Sequence, residues 1–141
     1  MPRIIYEGKI DGDFEGFDDE VLFKMRNGTY WLQAQYKYWY HYAYSPDVII
    51  TEENGLYLLN IAQNSIPVRR ITNVVESRIN GEFKGWEGET EYELQNGQVW
   101  QQSTYKYQYK YAYMPDAIVY ESGSGNKMSV TGTIANVRRV R

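Results

Sequence analysis

The chain contains no cysteine. That single absence removes disulfides, thiolate metal centres and cysteine nucleophiles together, and it makes the cytoplasm the default compartment. Histidine is almost as scarce. His41 stands alone, with no partner acid or nucleophile at a recognisable spacing, so catalysis has little to build on beyond two carboxylates paired across the glutamate-rich hairpins. No glycine-rich phosphate loop runs from a strand into a helix, because no window carries a helical period. Long apolar runs are missing too. The opening MPRIIYEGKI lacks the apolar core of a signal peptide, and no stretch approaches the roughly 18 apolar residues that a membrane-crossing helix requires. The expectation is a soluble protein, not an enzyme, with no cofactor and no membrane partner.

Excess charge is also lacking. The formal net charge is -3, and the two halves differ: residues 4–72 hold six basic and ten acidic side chains, residues 73–141 eight of each. Neither half has the basic surplus of a phosphate-backbone binder, which weighs against nucleic acid as a partner. The acidic run Asp11, Asp13, Glu15, Asp18, Asp19 and Glu20 lacks the spacing and terminal bidentate glutamate of a calcium loop. It reads as a solvated loop, and no metal is expected.

What is abundant is tyrosine. Fifteen tyrosines and four tryptophans stand against four phenylalanines, so much of the aromatic surface has a polar tip suited to half-buried sheet faces and to recognition surfaces.

The chain also repeats itself. Shifted by 69 positions, IDGDFEGFDDEVLFKMRNGTYWLQAQYKYWYHYAYSPD from Ile10 overlays INGEFKGWEGETEYELQNGQVWQQSTYKYQYKYAYMPD from Ile79 without a gap, and VRRI at 68–71 overlays VRRV at 137–140. About a third of all positions are identical between the copies. The reading is two tandem domains, 1–72 and 73–141. Thr72 and Asn73 form a linker too short for free tumbling.

Period-two alternation identifies the unit as all-β. In EVLFKM, Val21, Phe23 and Met25 oppose Leu22, Lys24 and Arg26; in TEYELQ, Thr90, Tyr92 and Leu94 oppose Glu91, Glu93 and Gln95. Asn27-Gly28 and Asn96-Gly97 follow at once, the strongest short hairpin signal. A two-residue turn would pair Met25 with Tyr30, Phe23 with Leu32 and Val21 with Ala34. In the second copy it would pair Leu94 with Val99 and Tyr92 with Gln101, implying a less oily core. In that register Trp31 and Trp100 fall one step off the inner face, so either a bulge turns them inward, as is commoner for tryptophan, or they are outward aromatics. Pro46 and Pro115 turn the chain into DVIITEE and DAIVYES. Asn54-Gly55 and Gly123-Ser124-Gly125-Asn126 turn it again, and a short irregular stretch leads to the last VRR strand. About five strands per copy, strongly bent, suggest a small closed barrel.

The order of these hairpins resembles that of the SH3-like barrels. The pattern G-x-F-x-G-[FW], N-G-x-x-W-x-Q and Y-x-Y-x-Y-x-Y-x-P at 12–46 and 81–115 is also similar to a repeat module of bacterial proteins that include mobile gene-cassette (integron cassette) products. The resemblance implies two tandem SH3-like β-barrels and assigns no activity. Such folds bind peptides, nucleic acids and protein partners alike.

The candidate site is the tyrosine ladder. Tyr36, Tyr38, Tyr40, Tyr42 and Tyr44 share one strand face, as do Tyr105, Tyr107, Tyr109, Tyr111 and Tyr113. One reading has some rings filling the core and the rest covering the edge. The other has an exposed aromatic platform for an extended peptide, a glycan or bases. The rings nearest the hairpin are expected in the core, which leaves Tyr38, Tyr40, Tyr42, Tyr107, Tyr109 and Tyr111, with Trp39, as the ligand-binding residues. The opposite face, Lys37, Trp39, His41 and Ala43 with Lys106, Gln108, Lys110 and Ala112, reads as solvated. The function expected is recognition of an extended protein segment. The alternative is a structural or self-associating protein, a homo-oligomer joined through the tyrosine rows.

Overall fold

The computed structural model describes residues 2–123 and 125–141. The turn expected at Gly123-Ser124-Gly125-Asn126 thus includes one residue, Ser124, outside the described residues. The chain divides into two compact units, Met1–Thr72 and Asn73–Arg141. The first contains β1 (Arg3–Lys9), β2 (Asp13–Phe17), β3 (Leu22–Lys24), β4 (Tyr30–Gln33), β5 (Trp39–Tyr44), β6 (Asp47–Glu53), β7 (Leu56–Ile61) and β8 (Asn64–Ile71). The second contains β9 (Val74–Arg78), β10 (Glu82–Glu87), β11 (Glu91–Glu93), β12 (Val99–Gln102), β13 (Tyr107–Tyr113), β14 (Asp116–Ser122), β15 (Gly125–Val130) and β16 (Thr133–Arg139). Among the described residues no helix is long and apolar enough to cross a membrane.

Each unit is all-β, and each has eight strands rather than about five. Six form an open antiparallel sheet in the order β1-β6-β7-β8-β4-β3, and its counterpart β9-β14-β15-β16-β12-β11 has the same order; the remaining two form a ribbon, β2-β5 or β10-β13. A bridge between Ile10 and Met25, flanked by hydrogen bonds from Asp11 N to Lys24 O and from Arg26 N to Lys9 O, touches the two sheet edges together at one point. Ile79 and Leu94 do the same in the second unit. Each unit is thus an open six-stranded sheet with a folded flap, its edges joined at one bridge.

The flap arises because β1 runs into β2 and β5 into β6 across a corner. At the corner Gly12 and Ser45 both take positive φ, Ser45 N donates to Gly12 O (2.8 Å) and Ile10 N to Pro46 O (3.0 Å). Proline sets the turn as expected, and the serine before it pairs with the glycine on the neighbouring strand. Both strands bend together, so the ribbon lies back over the sheet. Phe14 and Phe17 of β2 point into the core beneath it, among Phe23, Met25, Trp31, Ile50, Leu59 and Ile66. At about 1.5–3 kcal/mol for each fully buried phenylalanine, the two rings hold the flap with about 3–6 kcal/mol. Phe83 and Trp86 take their places in the second unit, beside Tyr92 and Trp100.

The ribbon closes onto itself by a backbone approach that no side chain permits. Gly16 sits at φ 96°, where an added Cβ would overlap the Trp39 carbonyl oxygen and stand 2.9 Å from the His41 nitrogen. The register slips between Phe14 and Gly16, so Glu15 faces two residues of β5. Gly85 repeats the arrangement at φ 97° against Gln108 and Lys110.

The Asn-Gly hairpins are present at the expected place with a different register. Met25 N donates to Thr29 O and Gly28 N to Met25 O, so three residues form the loop, and only glycine of the pair has positive φ (88° at Gly28, 91° at Gly97). The extra residue corrects the expected pairing. Lys24 opposes Tyr30, Phe23 opposes Trp31 and Leu22 opposes Leu32; in the second unit Tyr92 opposes Trp100, Glu93 Val99 and Glu91 Gln101. Both tryptophans therefore turn inward and are buried. The indole N–H groups are not left bare: Trp31 Nε1 donates to Thr29 Oγ1 and Trp100 Nε1 to Gln98 Oε1, each at 3.1 Å. The second core is the less oily one, as expected: Tyr92, Ala117, Val119, Val130 and Ala135 stand where the first has Phe23, Val48, Ile50, Ile61 and Ile66, and only Trp86 for Phe17 adds bulk.

Two further corrections concern the connections. The stretch expected to be irregular is a tight hairpin: Ala62 and Gln63 both adopt positive φ between the paired residues Ile61 and Asn64. Neither residue type advertises such a turn. Asp13 and Glu15, read as part of a solvated acidic loop, lie in β2.

Gly16→Ala and Gly28→Ala separate the two roles of glycine. At Gly28 nothing lies within 4 Å of an added Cβ, so the cost is that of positive φ alone, about 1–2 kcal/mol. Gly16→Ala should cost distinctly more in urea denaturation, because the flap has to lift; equal midpoints for the two variants would refute the close approach.

Candidate functional site

The inner face of the flap determines what its outer face can be. Phe14 opposes Ala43 and Phe17 opposes Trp39 with their side chains toward the core, while Asp13 opposes Tyr44 and Gly16 opposes Tyr40. Alternation then sends Tyr40, Tyr42 and Tyr44 outward. All ten ladder tyrosines, Tyr36 to Tyr44 and Tyr105 to Tyr113, are between 52 and 79 % exposed. The rings nearest the hairpin are not drawn into the core as the sequence suggested. That expectation rested on a pairing one residue out of register, whereas the rows lie on the outer face of the flap.

Tyr40 and Tyr42 lie on β5 and Tyr107, Tyr109 and Tyr111 on β13, whereas Tyr38 belongs to the segment that leads into β5. Trp39 departs from the expected ligand set. It is half-buried on the opposite side, 5.1 Å centroid to centroid from Phe17, and packs on the core. Of the face read as solvated, Lys37 and His41 are exposed, whereas Trp39 packs and Ala43 is half-buried. His41 stacks flat on Trp39 at 4.9 Å, and Lys37 Nζ lies 5.9 Å from the Phe17 ring and donates to Ser65 O.

Carboxylates border both rows. Tyr42 Oη donates to Asp13 Oδ1 at 2.7 Å, and Tyr111 Oη to Glu82 Oε1 at 3.3 Å, the same pair 69 residues apart. The hydrogen bond to Asp13 is the chief cause that raises the Tyr42 pKa above its ordinary value of 10, with the charges of Asp13 and Glu15 adding to it. For Tyr111 loss of hydration leads, followed by the charge of Glu82. In the second core burial pushes Tyr92 up to about 12; its hydroxyl donates to Gly85 O at 2.7 Å, tying the glycine of the flap to the sheet.

A buried glutamine sets the approach to each ladder, a role that sequence reasoning missed although the residue is retained in both copies. Gln33 Oε1 accepts from Asp18 N (3.0 Å) while its Nε2 donates to the carbonyls of Asp18 and Gln35. Gln102 Oε1 accepts from Glu87 N and Gly88 N, and its Nε2 donates to Thr104 O and Lys106 O. One side chain thereby fastens the end of the flap's first strand to the loop that starts its second. The N-G-x-x-W-x-Q spacing was the available signal.

Gln102→Leu should destabilise the second unit by about 1–3 kcal/mol for each backbone group left unpaired, read as a lowered urea midpoint; an unchanged midpoint would remove the clamp. The raised Tyr92 pKa means that the folded protein holds that proton more tightly than the unfolded chain. Its contribution is complete below pH 10 and lost as pH rises from 10 toward about 12. Tyr92→Phe should flatten that part of the alkaline stability curve. Asp13→Asn should bring the Tyr42 titration back toward its ordinary value in NMR of labelled tyrosine.

Comparison with protein-family models, with curated proteins and with solved structures returns no match. The functional reading therefore rests on the residues and their geometry.

Proposed function

We propose that this chain is a non-catalytic binding protein whose two tyrosine faces recognise an extended protein segment. One observation carries the reading: ten tyrosines in two rows stay exposed on one face of the flap, while the other face carries the residues that pack on the core, Phe14, Phe17 and Trp39 in the first unit. Exposed aromatic patches of this kind usually mark contact surfaces, and tyrosine supplies contact area with few rotatable bonds to freeze. Two such faces in one chain gain from effective concentration when one ligand reaches both. We take each unit as a variant of the SH3-like barrel, a reading supported by the bent ribbon and the bridge Ile10 to Met25.

Self-association through the same rows is the second reading. What favours it is the edge of β5, which has β2 on one side and no other strand beside it among the described residues. Sedimentation velocity across a wide concentration range separates the two, since a recognition module stays at one mass without ligand.

The decisive variants are Tyr40→Ser with Tyr42→Ser, and Tyr109→Ser with Tyr111→Ser. As exposed strand residues, each pair should cost no more than about 1–2 kcal/mol of stability. Each pair should also lower capture of extended peptides selected from a displayed library on the wild-type chain. A loss of several kcal/mol, as for core truncations, or capture unchanged in both variants would overturn the recognition surface.

A further inference from the structure

The two faces share an aromatic row but differ in charge. Beside the first row β2 supplies Asp13 and Glu15, whose charges both act on Tyr42, as does neighbouring Tyr40. The geometry agrees: Tyr42 Oη bonds Asp13 Oδ1 at 2.7 Å, Phe14 between Asp13 and Glu15 points into the core, and alternation sets both carboxylates on the face of the tyrosine row. Beside the second row β10 supplies Glu82 and, at the position of Glu15, Lys84, whose Nζ lies 3.9 Å from Glu82 Oε2. The local charge is two negatives in the first unit and one of each sign in the second. The whole units differ in the same sense, ten acidic to six basic against eight to eight.

Resting on the reading of the tyrosine faces as recognition surfaces, we propose that the β2-β5 face docks an extended cationic protein segment with lysine or arginine at every second position, and that the β10-β13 face does not. The open edge of β5 accepts an added strand, which presents alternate side chains to one side. Those side chains recur every ~7 Å, the same step as Tyr40, Tyr42 and Tyr44. An ammonium or guanidinium group set over a tyrosine ring is attracted by the ring face, and the Asp13 and Glu15 carboxylates select its sign. At the second face Lys84 opposes the same ligand. Because Asp13 is exposed and Glu15 only half-buried, the attraction weakens as salt shortens the Debye length below about 10 Å.

The test uses the full chain and four labelled ten-residue peptides: lysine alternating with threonine, the same composition with lysines in one block, glutamate alternating with threonine, and glutamine alternating with threonine. The wild type should bind the alternating lysine peptide at one site, at least tenfold tighter than the glutamate and glutamine peptides and several-fold tighter than the block peptide. Asp13→Asn with Glu15→Gln should lose that tenfold, and Lys84→Glu should raise the calorimetric stoichiometry from one site to two. Equal binding of the lysine and glutamine peptides, or of the block and alternating peptides, would overturn the charge or strand assignment and leave the recognition surface standing. Absence of lysine-peptide binding also overturns this proposal, whereas the recognition surface is decided separately by the tyrosine-to-serine variants. Retained melting temperatures in the carboxylate variants exclude unfolding as the cause.

Discussion

The close passage of Gly16 under the Trp39 carbonyl is the constraint from which the rest of each unit follows. It lets two strands meet with no side chain between them at the bulge, and it keeps the ribbon thin enough to fold over the open sheet. Once the ribbon lies there, Phe14 and Phe17 have a core to enter and the tyrosines have only solvent to face. The exposed aromatic row is therefore a product of packing on the other side of the same strands. A binding surface here is inseparable from the lid that carries it.

The buried glutamines show how such a lid is kept in place without a barrel seam. The flap's ends carry backbone groups that no sheet neighbour satisfies. Gln33 and Gln102 satisfy them from within the core. An amide both donates and accepts, which is what a junction of two loops needs and what leucine or glutamate cannot supply. Hydrogen bonding in a poorly hydrated place gives direction where apolar contact would leave the loop free to slide.

The sequence revealed much of this fold through punctuation and period. The 69-residue shift carries over to the strands: β3 at Leu22–Lys24 and β11 at Glu91–Glu93 are offset by that amount, as are β6 and β14. Alternation placed Phe23, Met25, Tyr92 and Leu94 on the buried side, where they lie. What it missed came from local conformations that residue identity signals weakly. Asn-Gly serves two-residue and three-residue loops alike, and the choice between them moves every partner by one; the inward turn of Trp31 and Trp100 follows from that one residue. Ala62-Gln63 at positive φ has no sequence signature at all. The lid was hidden because Pro46 reads as an ordinary turn, and nothing in the residues announces that Ser45 beside it pairs with Gly12 to make a corner. For the same reason the tyrosine row was legible as a row, but its exposure was not.

The second core is built from the same positions with the large rings redistributed. Where the first unit has Phe17 under Trp39, the second has Trp86 under Gln108, with the indole reaching down to Thr133 Oγ1 at 3.1 Å. The bulk has moved from one strand of the flap to the other. A hybrid unit joining the first strand of one flap to the second strand of the other would hold either two indoles in space for one or none at all. The two repeats are in perfect register along the chain, yet their halves are not exchangeable, and each unit has become a matched set.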